Sequence, residues 1–134
     1  MSLGHFERLR TLPHGERPRA LLVSGRQVHA PDLVYAEFAN VIWKRCRRGE
    51  IDQDEAGRLL GDVLRLPLEI TPCGHLAEPA LQLALRSGRT VYDCMYLALA
   101  VTTKTTLFSA DKRLVNALAD TPLAKHVAWI GATR

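Results

Sequence analysis

Apolar and polar positions along the chain fall into blocks that predict helices separated by short strands. Five stretches carry the apolar spacing typical of helices: residues 32–49, 52–66, 75–88, 90–103 and 111–120. Their flanks supply start and stop signals: candidate N-caps are Asp32, Asp52 and Thr90, and candidate C-terminal glycines are Gly49 and Gly88. Glu55, three residues after Asp52, completes a capping-box pattern.

Short apolar runs between these helices predict strands. They cover residues 26–31, 67–70, 105–110 and 126–130, whereas residues 20–25 are interpreted as the end of a helix. Helices that alternate with short strands favour an α/β fold with a mainly parallel central sheet. No internal repeat or linker divides the pattern, so we predict one domain over residues 1–134.

Composition narrows the class of protein. The chain has a formal net charge of +4 and 47% hydrophobic residues, as expected of a globular domain able to contact a polyanion. No apolar run approaches the roughly 18 residues that a membrane helix needs, so we expect no membrane contact. Three widely spaced cysteines predict reduced thiols and a cytoplasmic location rather than a disulfide or zinc site.

A basic cluster, residues 44–48, ends the first long helix. Two interpretations have about equal weight: a solvated helix C-terminus favoured by the helix dipole, and a contact to nucleic acid.

One acid stands inside an otherwise apolar helix. From residue 91 to residue 101, Asp93 is the only charged position, and on a helical wheel it lies beside Tyr96 and Leu97. An isolated buried carboxylate is costly unless a cation or metal compensates it. The alternative is that Asp93 is an ordinary first-turn acid, stabilised by the helix dipole.

Two other acids occupy comparable places. Asp111 directly follows the predicted strand of residues 105–110, at the end where α/β proteins bind ligands, although capping of the next helix is the more common role of one such residue and both roles are compatible. Glu37 lies at the edge of the apolar stripe of its helix, where it could simply pair with Lys44. If the three acids converge, their repulsion requires a cation, and oxygen ligands alone suit Mg²⁺ or Mn²⁺.

Two motifs in this order resemble the PIN domain, specifically the VapC-type toxins of bacterial toxin–antitoxin pairs. They are "APDLVYAEFANVIWKRCRRGEI" and "TVYDCMYLALAVTTKTTLFSADKRL", and the resemblance extends from about residue 20 to the C-terminus. It implies a three-layer α/β/α fold and a Mg²⁺-dependent endoribonuclease. It also implies a cognate antitoxin, a second copy of the chain and an RNA substrate as partners.

By the same resemblance, three residues are the catalytic and metal-binding acids: Glu37, Asp93 and Asp111. Two others, Asn40 and Ser109, are expected to line the site.

One feature of the family is missing. PIN domains begin with an apolar strand ending in an aspartate that completes the metal site, and nothing in residues 1–19 fits this pattern. We therefore expect the first strand to be absent, some substitute to cover the sheet, and Mg²⁺ to bind more weakly. Residues 1–3 are interpreted, as a hypothesis, as a vector remnant or a misassigned start.

Two alternatives to an active nuclease follow. The missing acid favours a catalytically inactive or truncated PIN-like module that keeps its antitoxin or RNA surface. A phospho-acceptor receiver domain also gathers acids around Mg²⁺, but it would need paired acids after a first strand, and the sequence lacks them.

Overall fold

The computed structural model describes residues 20–24, 27–109 and 112–129. The described residues fall into two compact units, one of residues 33–67 and one of residues 20–32 with 68–129. The single domain over residues 1–134 stays a prediction.

The first unit is a pair of helices in contact, α1 (Leu33–Arg47) and α2 (Gln53–Leu64). The second unit holds the sheet and three helices. Its elements, in chain order, are β1 (Ala20–Ser24), β2 (Gln27–Pro31), β3 (Leu68–Thr71), α3 (Cys73–Ser87), α4 (Val91–Thr103), β4 (Thr106–Ser109), α5 (Lys112–Leu118), a 3₁₀ helix (Pro122–His126) and β5 (Val127–Trp129).

The five described strands form one sheet in the order β3-β2-β1-β4-β5. β2 pairs with β3, and β4 with β5, in parallel, whereas β1 is antiparallel to both of its neighbours. The other four strands therefore run in the same direction. This confirms the predicted α/β class with a mainly parallel sheet.

Strand β1 corrects one expectation. The segment interpreted as a helix end is a strand, in which Leu22 pairs with His29 on one side and with Leu107 on the other. Its apolar sequence, ALLVS, suits an interior strand. Because β1 lies between β2 and β4, it satisfies backbone groups that these strands would otherwise leave unpaired. The expected absence of the family's first strand concerns residues 1–19, which lie outside the described residues, whereas β1 fills the position between β2 and β4.

Helix α4 forms the centre of the second unit. Six of its residues are at most 2% exposed: Cys94, Tyr96, Leu97, Ala98, Leu99 and Ala100. The helix contacts α3, β2 and β4, so it is covered on several sides. Burial around the helix explains why its sequence is apolar all round rather than along one stripe.

Most predicted helix boundaries are confirmed. Gly49 adopts a left-handed φ of 75°, and the N–H groups of Gly49 and Glu50 donate to the carbonyls of Cys46 and Arg45, as in a Schellman motif. Asp52 caps α2 by accepting the N–H of Glu55 at 2.8 Å. In the second unit, Gly88 ends α3 with a φ of 73°.

Asp32 has a role that its sequence position did not suggest. Its Oδ1 accepts the N–H of Cys73, the first residue of α3, at 2.9 Å, and its own N–H donates to the carbonyl of Thr71. Asp32 therefore joins the end of β2 to the start of α3. Its capping of α1 stays a prediction.

None of the helices in the described ranges is both long and apolar enough to cross a membrane.

Replacing Gly49 tests the Schellman motif. Because an alanine at a φ of 75° is strained, Gly49→Ala should lower the free energy of unfolding by about 1–2 kcal/mol. Gly74→Ala is the matched control: a Cβ added at Gly74, in α3, would meet nothing within 4 Å, so the change should leave the free energy of unfolding unchanged or raise it by up to about 1 kcal/mol. Urea unfolding measures both variants, and equal effects would contradict the assignment.

Candidate active site around Asp93

The first turn of α4 fixes the position of Asp93. Thr90, the N-cap, adopts an extended backbone, and its Oγ1 accepts the N–H of Asp93 at 3.1 Å. This bond satisfies one of the donors that a helix start leaves open. The predicted cap at Thr90 is therefore confirmed, and it places Asp93 in the first turn with only 7% of the residue exposed.

A cation compensates the buried carboxylate. The guanidinium of Arg89 lies four residues before Asp93, and its Nη2 is 3.5 Å from Asp93 Oδ2. The side chains of both residues are largely withdrawn from water, with exposed fractions of 24% and 8%. Because screening by solvent is reduced there, the attraction acts together with the helix dipole to offset the cost of burying the carboxylate. The backbone N–H of Arg89 donates to Ser87 Oγ at 3.2 Å, which ties this residue to the end of α3.

The neighbouring thiol remains neutral. Cys94 is completely buried, and this desolvation raises the pKa of its thiol above the usual value. The Asp93 carboxylate acts in the same direction, whereas a contact with Ser87 Oγ at 3.8 Å and the charge of Arg89 act against it. The Cys94 thiol therefore stays protonated to a higher pH than an exposed cysteine would.

Glu37 and Asn40 lie on α1, in the first unit. Glu37 is half-buried and Asn40 is exposed, and their separation of three residues places them on neighbouring parts of one helix face. The buried stripe of the helix consists of Val34, Phe38 and Val41. The predicted position of Glu37 at the edge of that stripe is confirmed.

The remaining predicted positions fall at or beyond the end of β4. Ser109 is the last residue of β4 and pairs with Ala20 and Trp129, but its side chain lies outside the described part of the structure. Asp111 lies between β4 and α5 and outside the described residues altogether. The convergence of Glu37, Asp93 and Asp111 therefore stays a prediction.

The donor chemistry of these residues suits a hard divalent cation. Carboxylate oxygens are the usual protein ligands of Mg²⁺. Within the described ranges, no three Asp, Glu, His or Cys side chains stand close enough together to hold a metal.

Sequence reasoning missed Arg89. The available signal was its spacing, since a basic residue four positions before a buried acid can reach it along a helical turn. The helical pattern did not predict this contact, because Arg89 precedes the helix and belongs to no apolar pattern.

All three cysteines, Cys46, Cys73 and Cys94, lie within the described ranges and none forms a disulfide. The prediction of free thiols is confirmed.

Comparison with known proteins adds independent support. The model of the PIN domain family matches residues 6–119, a span that includes Glu37, Asp93 and Asp111. Ribonuclease VapC3 of Pyrobaculum aerophilum is 33% identical over 101 residues, which cover 74% of this chain and 77% of the relative. Ribonuclease VapC9 of Mycobacterium tuberculosis and VapC ribonuclease Mb0985 of Mycobacterium bovis are each 29% identical over 93 residues, 69% of this chain and 72% of each relative.

The family match spans most of the chain, and the similarity to VapC3 covers about three quarters of both sequences. Together with the α/β fold and the buried acid Asp93, these matches show that the chain belongs to the PIN domain family, as a VapC-type member.

Proposed function

We propose that this chain is an endoribonuclease that hydrolyses RNA phosphodiester bonds with the help of Mg²⁺ or Mn²⁺, as the toxin of a type II toxin–antitoxin pair. The observation that carries the proposal is the carboxylate of Asp93, buried at the start of an apolar helix and held beside Arg89. Burying a carboxylate costs free energy unless a partner compensates it, so an acid kept in an apolar helix is a candidate for a functional role. The relatives named as VapC ribonucleases support the reaction class.

In this proposal, Glu37, Asp93 and Asp111 hold the divalent cation, and Asn40 and Ser109 line the site. A bound Mg²⁺ would polarise the phosphodiester and lower the pKa of an attacking water. Thr90 and Arg89 act as positioning residues, because one fixes the backbone of Asp93 and the other contacts its carboxylate.

The basic end of α1 is a candidate contact for RNA. Lys44, Arg47 and Arg48 are exposed there, and the guanidinium of Arg47 lies 5.3 Å from the ring centroid of the exposed Trp43. Glu50 pairs with Arg48 at 3.3 Å and with Arg45 at 3.1 Å, so it neutralises part of the cluster. The formal net charge of +4 also favours the binding of a polyanion such as RNA.

The partners proposed are an RNA substrate, a cognate antitoxin protein and a second copy of the chain. The free thiols support a cytoplasmic location, where cysteines stay reduced.

A catalytically inactive or truncated module that retains antitoxin or RNA binding is the second candidate. The observation that favours it is β1, which occupies the centre of the sheet with the sequence ALLVS and therefore contributes no acid. With three predicted carboxylates instead of four, metal affinity and turnover should be lower.

RNA cleavage by the purified chain, with Mg²⁺ and with a chelator, tests the proposal. Cleavage should require the metal, and Asp93→Asn should slow it about 100-fold, which corresponds to about 2.7 kcal/mol of transition-state stabilisation. Asp120→Asn, at an exposed position, is the matched control and should cleave like the wild type.

Cleavage that survives chelation, or that is unchanged in Asp93→Asn, would contradict the proposed site. RNA binding without cleavage under any metal would favour the inactive module.

Glu37 can be tested separately because it lies on the other unit. Glu37→Gln keeps the size of the side chain but removes its charge, and it should lower the cleavage rate roughly 10–100-fold through weaker metal binding. Glu78→Gln, at an exposed position of α3, serves as the control. If raising the Mg²⁺ concentration restores no activity to Glu37→Gln while its fold is intact, Glu37 is not a metal ligand.

A further inference from the structure

Arg89 places a positive charge where the proposed metal would bind. Its Nη2 lies 3.5 Å from Oδ2 of Asp93, the proposed ligand at the start of α4. The two side chains are exposed by only 24% and 8%, so water screens their charges weakly. The carboxylate of Asp93 thus already attracts a cation from within the chain, and attraction for hard cations is what a Mg²⁺ ligand requires.

The contact between these two side chains is electrostatic rather than a close hydrogen bond. At 3.5 Å it is longer than the distance of about 2.7–2.9 Å that is typical of a charged N–H donor on a carboxylate. Asp93 is placed through its backbone, because its N–H donates to Thr90 Oγ1 at 3.1 Å. Loss of the charge on Arg89 should therefore leave Asp93 in the first turn of the helix.

The backbone of Arg89 is fixed at the junction of two helices. Its N–H donates to Ser87 Oγ at 3.2 Å, and the residue lies between Gly88, which ends α3, and Thr90, which caps α4. The guanidinium stands at the far end of a long apolar stem, and part of the side chain reaches solvent. A guanidinium that turns away from Asp93 therefore need not unwind either helix end.

A second cation at Asp93 would meet the charge of Arg89. The two oxygens of one carboxylate are adjacent, so a divalent cation on either of them is close to the guanidinium, and like charges repel strongly where screening is weak. Metal binding must then either displace the guanidinium or act against its repulsion. Both lower the affinity of the site for the metal.

We propose, on the basis of the metal site proposed above, that Arg89 is a counter-ion that competes with the divalent cation for the carboxylate of Asp93. Before the metal binds, Arg89 compensates the buried carboxylate and so stabilises the fold. When the metal binds, that compensation is no longer needed, and the attraction given up sets how tightly the site holds its cation. Arg89 therefore stabilises the fold and weakens metal binding.

Neutralising Arg89 tests the proposal, because these two effects have opposite signs. Arg89→Met keeps a long apolar stem and removes the charge. It should tighten Mn²⁺ binding about tenfold in isothermal titration calorimetry. It should also lower the melting temperature of the metal-free chain by a few degrees, because a buried carboxylate loses its partner. A residue that merely supports the fold or orients the ligand would weaken metal binding when removed.

Matched variants separate the contact from a general effect of charge. Arg86→Met removes the same charge at an exposed position of α3 and should change neither measurement. Arg89→Lys keeps the charge and should tighten Mn²⁺ binding less than Arg89→Met. In the Asp93→Asn background, Arg89→Met should no longer lower the melting temperature, because the carboxylate that it would leave uncompensated is absent.

A measurement on the wild type keeps the proposal testable even if Arg89→Met does not fold. The side-chain Nε–H resonance of Arg89 in a nuclear magnetic resonance spectrum, assigned by its loss in Arg89→Lys, should shift when Mg²⁺ is added. The corresponding resonance of the exposed Arg86 should not. An Arg89 resonance that stays in place in a chain saturated with Mg²⁺ would contradict the competition.

The calorimetric results distinguish failure of this proposal from failure of the metal site. If Asp93→Asn weakens Mn²⁺ binding but Arg89→Met leaves it unchanged or weaker, the competition is excluded and the metal site remains. If Asp93→Asn binds Mn²⁺ as tightly as the wild type, Asp93 is not a ligand, and the metal site and the competition are both excluded.

Discussion

The burial of one carboxylate governs how the second unit is built. Asp93 stands in the first turn of a helix whose following residues are almost completely enclosed. A charge in that place needs compensation, which comes from the N-terminal end of the helix, from the cap at Thr90 and from the guanidinium of Arg89. The cap at Thr90 fixes where the helix begins and therefore keeps Asp93 in its first turn. The chemistry proposed for the chain therefore depends on a local folding signal.

The sheet imposes a second constraint. The strands that precede α1 and α5, β2 and β4, run in the same direction, and β1 joins them through antiparallel pairing on both sides. This strand keeps the two halves of the sheet together, since without it β3-β2 and β4-β5 would be separate two-stranded ribbons. The centre of the sheet is thus occupied by a strand that brings no acid. In this chain, β1 therefore stabilises the sheet without adding a ligand to the proposed metal site.

Local signals explain which parts of the fold the sequence could predict. The boundaries at Gly49, Asp52, Gly88 and Thr90 depend on residues within a few positions of one another, so each could be recognised from the chain alone. Residues 20–24 could not, because an apolar pentapeptide suits a helix end or a strand and distant partners decide between them. Asp32 shows the same limit, since the N–H group that it accepts lies 41 residues away.

In the candidate site too, some positions could be predicted from the sequence and some contacts could not. The burial of Asp93 followed from its apolar neighbours, and the edge position of Glu37 followed from helix periodicity. The ion pair with Arg89 was missed because it begins outside the helical pattern. Whether acids from separate elements meet depends on how those elements pack, and periodicity within one element carries no information about that.

The most direct test of the central claim, that Asp93 belongs to a divalent-cation site, is Mn²⁺ binding followed by electron paramagnetic resonance. The wild-type chain should bind Mn²⁺ in competition with Mg²⁺, and Asp93→Asn should weaken that binding markedly while the Asp120→Asn control does not. Equal Mn²⁺ affinity in the wild type and Asp93→Asn would contradict the claim, and Asp93 would then be a structural acid held by its cap and its arginine.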